Sequence, residues 1–138
     1  MTILVPLLSG KENHALFVEA IAKKNDEVLL LQIIDKDFLA KTSAAMGEVM
    51  QFHGLLNEMK KALKAKKRPC EEITEWGHTI QKIISIALLQ KVKTVMLIKQ
   101  KNQFFNEIIK ELEKNKISYE FVELPEEPKE KRMKFFGR

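Results

Sequence analysis

Cysteine is almost missing from this chain. Its one example, Cys70, excludes an intrachain disulfide and any cysteine-rich metal centre. Glycine is scarce too, five in 138 residues, and none falls between His78 and Phe136. That removes glycine-rich phosphate loops from most of the second half. Long apolar runs are also lacking. Ile3–Leu8 and Val28–Ile34, the latter with Gln32 inside it, fall far short of the roughly 20 residues of a membrane helix. Met1 leads directly into Thr-Ile-Leu-Val-Pro, without a basic stretch or a small-residue cleavage site, so no secretory leader is expected. The expected location is the cytoplasm, with no membrane partner.

What remains is the composition of a soluble globular domain, 45% hydrophobic and 31% charged, with a formal charge of +5. The charge is uneven. Lys60, Lys61, Lys64, Lys66, Lys67 and Arg68 form a basic run without an acid, and residues 125–138 carry a net +2. Such a run attracts phosphate or acidic partners. Cations in a last helical turn also complement the helix dipole. Because no aromatic residue interrupts Lys60–Arg68 for base stacking, the dipole reading is preferred and nucleic acid is not the expected partner.

Along the chain, apolar runs alternate with helical periodicity. Thr2–Leu8 reads as a buried strand, broken by Ser9-Gly10. Leu16, Phe17, Ala20 and Ile21 mark a helix within Asn13–Asn25, and Val28–Ile34 is a second apolar strand. Ser43 is placed to cap a long helix with Met46, Val49, Met50, His53, Leu56 and Leu63 inward, ending before Pro69. Cys70–Trp76 is a more polar strand. After the turn Gly77-His78-Thr79, Ile80, Ile83, Ile84, Ala87 and Leu88 fall at one-face helical spacing. Thr94–Ile98 is a continuously apolar strand. Asn102 is placed to cap a helix with Phe104, Phe105, Ile108, Ile109 and Leu112 inward, and Ile117–Leu124 is the last strand. Pro125-Glu-Glu-Pro128 closes the domain, giving one α/β domain over 1–124 and a basic tail over 125–138.

Five strands alternating with four helices predict a parallel sheet with helices on both faces. Central parallel strands are covered on both sides and read as apolar runs, whereas edges carry polar residues. Strands 1, 2 and 4 are apolar. Strand 3 holds Glu71, Glu72 and Glu75, and strand 5 holds Ser118, Glu120 and Glu123. The order 3-2-1-4-5 follows, a Rossmann-like three-layer sandwich. The order 2-1-3-4-5 would bury the polar third strand and expose the apolar second. In 3-2-1-4-5 the winding reverses between strands 1 and 4, so ligands belong outside their carboxyl ends, at Leu8–Glu12 and Lys99–Gln103.

The chain resembles the universal stress protein family over Thr2 to about Leu124. Ile3-Leu4-Val5-Pro6, the long excursion between strands 2 and 3, Glu75-Trp76-Gly77-His78-Thr79-Ile80 and Val95-Met96 carry the likeness. The resemblance implies a UspA-like domain of the adenine-nucleotide α-hydrolase-like fold, often paired through its last strand. It also implies a divergent member. Nucleotide-binding relatives place an aspartate after the first strand, where this chain has Leu8, and follow strand 4 with G-x2-G-x9-G-[ST]. Here that segment reads Leu97-Ile98-Lys99-Gln100-Lys101-Asn102-Gln103-Phe104-Phe105, where a Cβ at every position obstructs close backbone approach. ATP is therefore not expected as a cofactor, and no other cofactor is indicated.

Ser9, Gly10, Lys99 and Lys101 remain as the candidate anion-binding loops, with an ordinary polar turn as the plainer reading. No catalytic residue is assigned. His53 lies on an apolar face with no second ligand at metal-like spacing, Cys70 has no neighbouring histidine, and Gly77-His78 lacks the rest of a nucleotidyl-transfer motif. No metal is expected. A methionine stripe of Met46, Met50 and Met59 is read by default as core packing, with an unidentified protein partner as the alternative. The function expected is a non-enzymatic regulatory or binding protein, homodimeric through Ile117–Leu124. The alternatives are a binder of small anions or nucleotides through the loops after strands 1 and 4 and, behind it, a nucleic-acid-associated protein using Lys60–Arg68 and the tail. Met133, Phe135 and Phe136 lead to the expectation that the tail docks its apolar part on this chain or a neighbour.

Overall fold

In the computed structural model the described residues are 1–35 and 45–125, with side chains for all of these except 45–53. The elements run β1 (Thr2–Pro6), α1 (Ala15–Ala22), β2 (Glu27–Ile34), α2 (Ala45–Ala65), β3 (Cys70–Trp76), α3 (Thr79–Leu89), β4 (Thr94–Ile98), α4 (Gln103–Lys114) and β5 (Tyr119–Val122). All strand pairs are parallel, in the order β3-β2-β1-β4-β5. The distribution of polar residues among the strands thus placed both edges correctly.

Alternation along each strand divides the core into two layers. Ile3, Val5, Val28, Leu30, Met96 and Ile98 pack with Phe17, Val18 and Ile21 of α1 and Leu55, Leu56, Met59 and Leu63 of α2. On the opposite face Leu4, Leu29, Leu31, Val95 and Leu97 meet Ile83, Ile86 and Ala87 of α3 and Phe105, Ile108 and Leu112 of α4. The winding reverses between β1 and β4, as the sheet order requires.

Several local expectations shift. β1 ends at Pro6, not Leu8, although Leu7 is still buried and its N–H still donates to Leu31 O at 2.9 Å. β5 covers Tyr119–Val122 only, because Ile117 leaves the ladder to seal α4 against the core. In α3 the buried stripe is Ile83, Ile86 and Ala87, which rotates Leu88 out to 54% exposure. Phe104 likewise lies outside, at 40% exposure, and Phe105 takes the inner position. Leu56 and Leu63 are buried as expected. Ser43, the side chains of Met46, Val49, Met50 and His53, and the tail residues Met133, Phe135 and Phe136 lie outside the described residues.

Helices α2, α3 and α4 end in one motif. Arg68, Val92 and Ile117 N–H donate to the carbonyls of Leu63, Ala87 and Leu112, five residues back, at 2.8–3.1 Å. Lys67, Lys91 and Lys116 N–H donate three residues back, at 2.9–3.2 Å. This is the Schellman stop, whose penultimate residue takes a left-handed conformation. Glycine is its usual occupant. Here all three positions are lysine, at φ 61°, 51° and 57°.

Candidate functional site

The carboxyl ends of β1, β2 and β4, where an open parallel sheet gathers its ligands, carry the polar side chains that matter. The loop after β1 turns at Gly10, whose φ of +82° is left-handed and suits glycine. That turn aims three successive backbone N–H groups at one point, and the carboxylate of Glu12 sits there. Its Oε2 accepts from Leu8 N at 3.1 Å, Ser9 N at 2.9 Å and Ser9 Oγ at 2.8 Å, while Oε1 accepts from Gly10 N at 3.1 Å. Glu12 is 1% exposed. No Lys or Arg pairs with it among the described residues, so backbone dipoles and one hydroxyl hold the charge. The Ser9 hydroxyl completes the arrangement by accepting from Lys11 N at 3.0 Å.

The helix N-termini at this end are capped in related ways. His14 Nδ1 accepts from Leu16 N at 3.1 Å on α1, and Asn102 Oδ1 accepts from Phe105 N at 2.7 Å on α4. At α3 the N-cap residue His78 makes no capping bond with its side chain. Asp35, just beyond β2, accepts instead from Thr79 N at 3.2 Å and Thr79 Oγ1 at 3.1 Å. Gly77 stands at φ +148°, a backbone conformation that L side chains rarely adopt, which accounts for glycine at this turn.

Among the sequence-derived candidates, Ser9 and Gly10 share the β1 loop, and their N–H groups face Glu12. Lys99 and Lys101 follow β4, β1's neighbour, at the same end of the sheet. Lys99 N donates to Val122 O at 2.9 Å, and its ammonium stands 5.4 Å from the centre of the Phe121 ring, toward the β5 edge. Left-handed φ values are absent from residues 99–102, so the β4 loop follows a path open to ordinary residues.

Sequence reasoning placed Glu12 at the end of the Leu8–Glu12 loop without giving it a role, and passed over Asp35. The signal for Glu12 was present in the spacing Ser9-x-x-Glu12, which lets an acid reach back to the serine N–H. For Asp35 there was none, since its partner Thr79 is 44 residues away.

Elsewhere, Cys70 is half-buried on the β3 edge, where desolvation pushes its thiol pKa up, Lys60 opposes the rise and Glu72 adds to it. In the basic run Lys60 pairs with Glu72 at 3.5 Å, and Arg68 donates to Ala22 O at 2.9 Å and Asn25 Oδ1 at 2.6 Å. Two of its six cations are therefore committed within the domain. Among the described residues no three His, Cys, Asp or Glu side chains are grouped to hold a metal, and no helix is long and apolar enough to cross a membrane.

No family model and no curated protein matches the chain. Solved structures do. Hypothetical protein MJ0577 matches with a TM-score of 0.70 at 16% identity, over 91% of this chain and 97% of that one. Universal stress protein UspA from Lactobacillus plantarum matches with a TM-score of 0.66 at 10% identity, over 88% and 97%. A universal stress protein in complex with cAMP gives 0.61 at 12% identity, over 88% and 96%. With the sheet order and the two-faced helical covering, these matches establish that about nine-tenths of the chain adopts the universal stress protein fold.

Proposed function

We propose that this chain is a non-catalytic regulatory or binding protein whose sheet-end crevice does not take ATP, and that it works as a homodimer through β5. One observation carries the first half. The N–H groups that the β1 loop would offer a ligand already bond a buried carboxylate of the same chain. A nucleotide phosphate brought to this loop meets a fixed negative charge instead of free donors. After β4, Asn102 takes the N–H of Phe105, and no glycine is present to let the backbone close on phosphates. These residues do not suit ATP.

The dimer rests on the exposed edge of β5. Ser118 and Val122 carbonyls accept from Val95 N of β4 and from Lys99 N just beyond it, at 2.9 Å each. Alternation in a parallel ladder then turns the backbone groups of Tyr119 and Phe121 outward. Phe121 is 45% exposed, stacked on Tyr119 with ring centres 6.4 Å apart. A two-fold partner would pair those groups and cover the rings.

A second reading, a binder of a small anion or nucleotide through Ser9, Gly10, Lys99 and Lys101, draws support from the similar fold of the protein in complex with cAMP. Isothermal calorimetry with ATP, AMP and cAMP separates the two. The first reading expects at most weak, salt-sensitive heats for all three, and a dissociation constant below micromolar for any of them overturns it. A short DNA duplex at two salt concentrations belongs in the same series. Salt-sensitive binding of the duplex alone would point to Lys60–Arg68 and the tail.

A further inference from the structure

We propose that the Leu8–Gly10 loop is an oxyanion site kept closed by the chain's own Glu12, and that a small carboxylate or phosphate group can replace that side chain. The inference rests on the reading of the crevice given above and extends it to the class of group the loop recognises.

The donor set is that of an anion site. Three consecutive N–H groups and the Ser9 hydroxyl converge at 2.8–3.1 Å on two oxygens of one group. Successive backbone N–H groups in such a turn form a concave nest that favours negative charge without a cation, and no cation among the described residues pairs with Glu12. Selectivity for an oxyanion therefore resides in the loop, and Glu12 is its tethered occupant. Two oxygens are needed, since Gly10 N bonds one and the other three donors bond its neighbour. Acetate and phosphate meet that requirement and chloride does not.

Space and position agree. A Cβ built on Gly10 meets no atom within 4 Å, so the loop borders open volume. Leu8, Ser9 and Gly10 are themselves half-buried, within reach of solvent. The loop follows β1 where the winding reverses, the end of the sheet at which this topology gathers ligands. α1 and α4 use their own histidine and asparagine caps, and α3 uses Asp35, leaving the β1 loop as the described turn that closes on a carboxylate borne four residues or fewer away.

The test is rescue of full-length Glu12→Ala by added anions, read as melting temperature at constant ionic strength. Losing the carboxylate is expected to lower Tm by roughly 5–15 °C, since several charge-assisted hydrogen bonds go with it. Acetate or phosphate should recover part of that fall, chloride should not, and the wild type should respond to none of them. An Ala variant as stable as the wild type, equal recovery by chloride, or an equal response of the wild type would each overturn the proposal. Should the Ala variant not fold unaided, folding on addition of acetate or phosphate supports the site. Should it not fold at all, Glu12→Asp decides through amide resonances. Shifts at Leu8, Ser9 and Gly10 on phosphate addition support the site, and unmoved resonances overturn it. Absent rescue defeats the oxyanion site alone, whereas tight ATP binding by the wild type defeats the reading of the crevice.

Discussion

Replacing Lys67, Lys91 or Lys116 by glycine is expected to stabilise the protein, although each lysine sits at a helix end where its charge is favourable. The three residues hold φ of 61°, 51° and 57°, a region in which a Cβ crowds the following carbonyl at a cost of roughly 1–2 kcal/mol. Glycine removes that crowding but enters the fold from a more disordered unfolded chain, which returns about 0.5–1 kcal/mol. Losing a cation beside the helix C-terminus costs a further few tenths. The net gain is about 0.5 kcal/mol per site. Alanine keeps the Cβ and removes the charge, so the glycine-minus-alanine difference isolates the backbone effect at about 1 kcal/mol. The stops terminate different helices and share no hydrogen bond, so their effects should add. The triple glycine variant should then exceed the triple alanine variant by roughly 3 kcal/mol, or about 10 °C in Tm for a domain of this size. Urea unfolding measures it as a rise in midpoint at unchanged slope. Glycine variants no more stable than their alanine counterparts at all three sites would refute the reasoning.

Two further outcomes follow from edge strands. Burial raises the Cys70 pKa, so the fold favours the neutral thiol. Stability from this group is full below the unfolded thiol pKa and is lost as pH rises toward the folded value. Iodoacetamide should therefore modify the native protein with a pH midpoint above that of the urea-unfolded chain, and a midpoint at or below it counts against the desolvated site. On β5, Phe121→Pro removes an outward N–H and leaves the β4 ladder intact, so it should convert a dimer to monomer in light scattering. A full-length monomer at tens of micromolar, or a dimer indifferent to the proline, would move the interface elsewhere.

Much of the architecture was legible because burial on both faces leaves a simple mark. β1, β2 and β4 are apolar at nearly every position, and Glu71, Glu72 and Glu75 mark β3 as an edge. Element ends were less legible, because hydrophobic residues continue past the backbone pattern. Leu7 remains buried after β1 has ended, and Ile117 is buried before β5 begins. In α3 and α4 two apolar stripes competed, and periodicity alone did not choose Ile86 over Leu88 or Phe105 over Phe104. Ser9 and Gly10 could be singled out from the turn they make. The carboxylate they bind was marked by the spacing Ser9-x-x-Glu12 and not by composition, in which Glu12 reads as a surface acid until the turn brings it inward. Asp35 needed the sheet itself, which sets the end of β2 beside the start of α3.

The most direct test of the closed crevice is the nucleotide content of the protein as isolated. Full-length protein purified from its own cell without added nucleotide, then denatured and analysed by ion-exchange chromatography, should release adenine nucleotide at far below one equivalent per chain. A near-stoichiometric yield of ATP or another adenine nucleotide would mean that the crevice is open and that Glu12 does not close it.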